Sequence, residues 1–202
     1  MKLILITPPE WVQHELETIH YFLEMEKGIL HVRKPTWSEE ELINYIDQLP
    51  DKYLNNVAIH SNSNIAVKYK LGGMHLRSVD LKTEIPDEWK GRLSKSAHSF
   101  SEINQWENSY DYFFLSPVFD SISKSGYKSS FNLEELGSFL QRKRNCEVIG
   151  LGGIDSSNIL QCMELGFDGI AVLGAIWNKK SMEERIQELE KLSALTKKKT
   201  TV

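Results

Sequence analysis

Short apolar, often β-branched runs alternate along the chain with longer stretches whose apolar residues recur at helical spacing. Residues 2–7 form the first run, stopped by Pro8 and Pro9, and residues 10–26 then carry Trp11, Val12, Leu16, Ile19, Phe22 and Leu23 at helical spacing. A second strand is predicted over residues 28–33. Ser38 and Glu41 make the capping-box pattern that opens a helix through Leu42, Ile43, Tyr45, Ile46 and Leu49. Residues 56–61 predict a third strand, 64–71 a short helix, 73–77 a fourth strand and 93–97 a fifth. A fourth helix is the weakest expectation, because residues 78–91 contain Pro86 and only a faint helical pattern. The helix over 102–108 and the apolar strand over 112–119 follow.

Residues 120–132, DSISKSGYKSSFN, form a Ser/Gly/Lys-rich loop long enough to be functional, and 133–144 a helix. Residues 146–174, CEVIGLGGIDSSNILQCMELGFDGIAVLG, read as strand, glycine turn, helix, strand and turn; residues 181–195 close the chain as an amphipathic helix. Eight such alternations with continuously apolar strands predict parallel strands covered by helices. Both a (β/α)8 TIM barrel and a doubly wound sheet alternate in this way. The second lacks its signature here, since Ile6-Thr7-Pro8-Pro9 stands where Gly-x-Gly-x-x-Gly would follow the first strand. The terminal glycines favour the barrel, whose loops after strands 7 and 8 often hold phosphate. Gly152 and Gly153 allow close backbone approach to an anion, Asp155-Ser156-Ser157 offers a helix cap, and Gly174 ends the eighth strand on the same side.

Composition narrows the function classes. The chain has 202 residues, 41% hydrophobic and 26% charged, enough for one sizeable core and one domain over 1–202, with 196–202 a frayed basic tail. A net charge of -4 argues against a nucleic-acid surface. No apolar stretch is long enough for a membrane span, and the apolar run of MKLILITPPEW is too short for a signal peptide, so a cytoplasmic location is expected. Cys146 and Cys162 fall in a predicted strand and helix, as core thiols of a reducing compartment would.

Chemistry in such a barrel belongs at the C-terminal ends of the strands. His31, His60, His75 and His98 lie in or beside strands 2 to 5 and together predict a polar mouth. Arg33, Lys34 and Lys124 are cations that could meet an anion opposite the glycines. Carboxylates are few there, Asp80 and Asp120, which permits a weak Mg2+ site without demanding one.

In order and spacing, His31-Val-Arg33, Ile59-His-Ser-Asn-Ser-Asn-Ile-Ala66, Gly73-Met-His75-Leu-Arg-Ser-Val-Asp80, Ser96-Ala-His98, Ser116-Pro-Val-Phe119, Ser121-Ile-Ser123-Lys124, Gly152-Gly-Ile154 and Gly169-Ile-Ala-Val-Leu-Gly174 resemble the thiamine phosphate synthase/TenI family. The resemblance implies a (β/α)8 barrel of thiamine biosynthesis. Synthase members join hydroxymethylpyrimidine diphosphate to hydroxyethylthiazole phosphate, releasing pyrophosphate with Mg2+; TenI members aromatise the thiazole phosphate tautomer. By this resemblance Gly152, Gly153 and Gly174 would hold the thiazole phosphate, with Ser121 and Ser123 near it and Lys124 near the pyrophosphate. Arg33 would contact the diphosphate, Asp80 would ligate Mg2+, and Ser96 would lie near the reacting centre.

The chain also departs from the synthase pattern. His31-Val-Arg33-Lys34-Pro35 stands where synthases read Gln-Leu-Arg-Glu-Lys, and His60-Ser61 stands for Asn-Asp, which removes one of two magnesium carboxylates. His-x-Arg is TenI-like, yet Pro117 occupies the position of the TenI histidine on strand 6. Three functions stay open on this basis. They are a synthase, a metal-free tautomerase using His31, His60 or His98 to move a proton, and a non-catalytic binder of thiazole phosphate. The expected partners are the thiazole phosphate and the pyrimidine diphosphate, without nucleic acid or membrane, and a homodimer is left open.

Overall fold

The computed structural model describes residues 1–25, 28–80, 84–119 and 131–197. Eight parallel strands follow one another around a closed barrel in chain order: β1 (Lys2–Ile6), β2 (Gly28–Val32), β3 (Val57–His60), β4 (Gly73–Leu76), β5 (Arg92–Ala97), β6 (Tyr112–Leu115), β7 (Glu147–Leu151) and β8 (Gly169–Val172). Closure comes from β1, which pairs with β2 on one edge and with β8 on the other. This is the TIM barrel, and it settles the choice against the doubly wound sheet.

The side-chain period of two divides the apolar residues into two cores. Ile4, Ile6, Ile29, Phe114, Ile149 and Ala171 fill the barrel interior. Leu3, Leu5, Leu30 and Val32 face outward and join Ile19, Phe22 and Leu23 of α1 (Glu15–Glu24) in the layer between barrel and helices. The capping box is formed as predicted: Ser38 accepts from the Glu41 N–H, and Glu41 accepts from the Ser38 N–H, opening α2 (Glu39–Ile46). The short α3 (Ser63–Lys68) is capped by Asn62, α4 (Phe100–Trp106) by Ser99 and α5 (Leu133–Gln141) by Asn132. After β7 and β8 come α6 (Ile159–Leu165), α7 (Gly174–Trp177) and α8 (Met182–Thr196). Tyr21 and Glu190 tie α8 to α1 through a 2.6 Å hydrogen bond.

Several boundaries differ from the sequence expectation. No helix forms over the described part of 78–91; residues 84–91 make a turn in which the Trp89 N–H reaches the Pro86 carbonyl, in keeping with the helix-breaking proline. The strand expected over 112–119 stops at Leu115. Ser116–Pro117 follows, and the N–H groups of Val118 and Phe119 turn to the carbonyls of Leu151 and Gly152. The 3-10 turn Asp51–Asn56 and the four-residue α7 carry no strong periodicity and are additions. The loop expectation over 120–132 lies almost wholly outside the described residues. Among the described residues, no helix is long and apolar enough to cross a membrane. Both cysteines are free and buried, with burial raising their thiol pKa to about 11 and about 12.

Candidate active site

Alternation along the strands sends His31 of β2, His60 of β3, His75 of β4, Ser94 and Ser96 of β5, and Tyr112 and Phe114 of β6 toward one another inside the barrel. His31 Nε2 lies 2.7 Å from the Tyr112 hydroxyl, and His31 Nδ1 lies 3.1 Å from His60 Nε2. His75 spans two serines, Nδ1 to Ser94 Oγ at 2.8 Å and Nε2 to Ser96 Oγ at 2.9 Å. Ser94 Oγ also lies 3.2 Å from the Met74 carbonyl; with its hydroxyl proton directed there it accepts from His75 Nδ1–H, the tautomer in which His75 Nε2 accepts from Ser96. Phe114 packs against them at a tilt, its ring centroid 4.8 Å from His31 and 4.5 Å from His75. Burial pushes His31 and His60 well below the ordinary histidine pKa. It brings His75 down to about 3, with the positive charge of Arg33 acting in the same direction. These imidazoles are neutral at neutral pH. The expected polar mouth is thus a buried polar floor, with His31 and His75 fully buried and His60 mostly buried beside them.

The rim above that floor carries the charged groups. Asp80 receives three side-chain hydrogen bonds from the Nε and Nη2 of Arg77, one from the Arg77 N–H and one from Ser61 Oγ at 3.1 Å. Burial opposes its charge, but these donors outweigh it and hold the carboxyl below its ordinary pKa. Lys95, sequestered outside the barrel wall beside the Tyr110 ring, donates to the Asp80 carbonyl and fixes the loop. Ser61 adopts a left-handed backbone, φ 54°, a conformation in which Asp and Asn are enriched among non-glycine residues.

Arg33 and Lys34 follow β2 and part company. Arg33 anchors its backbone to Thr7 Oγ1, and its guanidinium disfavours protonation of both His60 and His75 while pairing with no described side chain. Lys34 points to the other face, as a one-residue shift requires. Its ammonium is fully buried 2.7 Å from the Glu15 carboxylate, which also takes a 2.5 Å hydrogen bond from Tyr45, and it lies over Trp37 at 4.7 Å. The structure therefore removes Lys34 from the rim. His98 is exposed and donates from Nδ1 to the Ser116 carbonyl at 3.0 Å, away from the floor.

Opposite stands the glycine turn. Gly152 (φ 97°) and Gly153 (φ 67°) both take left-handed conformations, and a Cβ at Gly152 would come within 3.0 Å of the Pro117 backbone. Among the described residues, neither the Gly153 nor the Gly174 N–H reaches an acceptor. The cap expected from Asp155-Ser156-Ser157 is replaced by a turn. The Asp155 carboxylate accepts from the Ser157 N–H, the Ser156 N–H donates to Glu188, and α6 opens only after Asn158. Gly174 begins α7, which Trp177 locks to β1 through Nε1 and the Ile6 carbonyl at 2.7 Å. Asp120, Ser121, Ser123 and Lys124 lie outside the described residues. Sequence reading missed Ser94, Tyr112, Arg77 and Lys95. The first two were visible as inward positions of their strands, whereas Arg77 and Lys95 find Asp80 only through the loop.

Fold and site together define a (β/α)8-barrel protein whose C-terminal mouth sets a guanidinium with no partner among the described residues and a held carboxylate across from a left-handed glycine turn. A sequence model described as thiamine monophosphate synthase matches residues 3–176, and the chain belongs to that family. Thiamine-phosphate synthase of Flavobacterium johnsoniae is 28% identical over 205 residues, covering 96% of this chain and 97% of that protein. That of Alkaliphilus oremlandii is 27% identical over 146 residues, 70% of this chain and 69% of that one. Among solved structures, thiamine phosphate pyrophosphorylase from Bacteroides thetaiotaomicron superposes with a TM-score of 0.83 at 29% identity, covering 98% of this chain and 100% of that chain.

Proposed function

We propose that this chain is a working synthase that joins hydroxymethylpyrimidine diphosphate to hydroxyethylthiazole phosphate. The observation that carries the reading is the Arg33 guanidinium, without a partner among the described residues, which follows β2 on the same C-terminal rim as Asp80 after β4 and Gly152 and Gly153 after β7. In this reading Arg33 grips the diphosphate with two parallel N–H donors, and Lys124 meets the pyrophosphate as it departs. The glycine turn and Gly174 take the thiazole phosphate on backbone N–H groups, with Ser121 and Ser123 beside it. Cleavage of the bond between the pyrimidine methylene and the diphosphate sends the electron pair to pyrophosphate. The thiazole then closes on the electron-poor methylene, near Ser96. The donor set suits Mg2+ in a reduced form: Asp80 offers a carboxylate and Ser61 a hydroxyl, and this ion needs one or two carboxylates besides phosphate and water. When bound, Mg2+ would neutralise charge on the diphosphate.

The tautomerase reading draws less support. Of its three candidate bases, His31 is buried in the floor with both nitrogens engaged, His60 hydrogen-bonds His31 through Nε2, and His98 is hydrogen-bonded to the Ser116 carbonyl through Nδ1. The test is to incubate the protein with both substrates, with and without Mg2+. Thiamine phosphate formed only when both are present is the expected result; conversion of the thiazole tautomer alone, with no thiamine phosphate, would replace the synthase by the tautomerase.

A further inference from the structure

We propose that His31, His60 and His75 form a binding site for one transition-metal dication of the Zn2+ class, separate from the Asp80 rim. Ring nitrogens of the three residues lie within 4.8 Å of one another. The His31 Nδ1 to His60 Nε2 separation of 3.1 Å is close to the about 3.3 Å between two imidazole nitrogens on tetrahedral Zn2+, given Zn–N bonds of about 2.0–2.1 Å. The third ligand is His75 Nε2, the acceptor nitrogen of the ring when Nδ1–H donates to Ser94, and at present hydrogen-bonded to Ser96.

The surroundings have the form that histidine metal sites need. A ligating imidazole is oriented by a partner on its other nitrogen, and here Tyr112 serves His31 at 2.7 Å while Ser94 serves His75 at 2.8 Å. Binding requires neutral imidazole, and the burial that keeps these rings unprotonated supplies that form without competition from protons at neutral pH. His60 is the least buried of the three ligands and would be the side on which an ion enters. Imidazole nitrogen selects borderline metals, whereas Mg2+ takes oxygen ligands, so the floor and the rim discriminate between the two. The hydroxyl of Ser96 is the group the ion must displace from His75.

The experiment uses the full chain stripped with a chelator. Zn2+ is titrated against a chromophoric chelator, Co2+ binding is followed by visible absorption, and the melting temperature is recorded with Zn2+ and with Mg2+; none of these readouts depends on the synthase reaction. One equivalent of Zn2+, an intense Co2+ band and a rise in Tm with Zn2+ but not Mg2+ are expected. Tyr112→Phe, which removes the hydroxyl that partners His31 and Ser94, should weaken affinity by roughly 10- to 100-fold, and His60→Ala by more. Ser96→Ala should bind at least as tightly as wild type. A stripped wild type with no Co2+ band and no Zn2+-dependent stabilisation would overturn the site, as would affinity unchanged in both Tyr112→Phe and His60→Ala.

Discussion

The polar floor and the charged rim of this barrel are built from the same few strands yet differ in what they leave unsatisfied. On the floor, both nitrogens of His31 and of His75 already have partners, and burial strips these rings of charge. On the rim, the Arg33 guanidinium has no described partner and Asp80 keeps its charge despite partial burial. The difference teaches where ligands of opposite kinds can enter: the rim has charge to offer phosphates, while the floor offers neutral lone pairs.

Adjacent residues give the sharpest way to break this contrast. Lys34→Ala leaves Glu15 as an uncompensated buried charge, and chemical denaturation should show a loss of about 3–5 kcal/mol. Arg33→Ala should leave that stability nearly unchanged and instead weaken binding of the pyrimidine diphosphate in calorimetry. Equal stability losses in the two variants would erase the distinction between the faces.

Gly152→Asp should abolish thiazole phosphate binding. It puts a carboxylate where backbone N–H groups would meet the anion, and it adds strain of order 1–3 kcal/mol from the positive φ together with the Pro117 contact. Calorimetry on a folded variant with unaltered affinity would remove the turn from the binding model.

The floor should announce itself in the pH dependence of stability. His75 has a folded pKa of about 3, below its ordinary 6.5, so the unfolded chain takes up the proton first; stability is full above pH 6.5 and falls as pH drops toward 3. Between pH 6.5 and 5 this residue alone accounts for about 2 kcal/mol, being 1.5 pH units at about 1.4 kcal/mol each. Urea midpoints of wild type and His75→Gln should therefore diverge less at pH 5 than at pH 7. A parallel pair of curves would mean that His75 takes up its proton as readily in the folded protein as in the unfolded chain.

Much of the barrel was readable because each strand is a continuous apolar run and Ser38/Glu41 announces its helix locally. The fourth crossover was not, since Pro86 removes the periodicity and nothing local replaces it. Site residues were legible by type and strand, but direction was harder. Arg33 and Lys34 look equivalent in sequence, and the Glu15, Trp37 and Tyr45 side chains that claim Lys34 come from distant turns of the chain. Likewise, His31 and His75 read as mouth residues until the register with Ser94 and Tyr112 places them beneath it.

The smallest expected effect bears on the central claim, that the rim is a synthase site in which Asp80 and the Ser61 hydroxyl serve the metal. Ser61→Asp sets a second carboxylate beside Asp80, at a left-handed position that aspartate tolerates, and the decisive measurement is a magnesium titration of thiamine phosphate formation by wild type and variant. The account predicts product from both proteins and a lower Mg2+ concentration for half-maximal activity in the variant, by a factor corresponding to about 1 kcal/mol at this partly solvated site. No thiamine phosphate from either protein at saturating Mg2+ would contradict it.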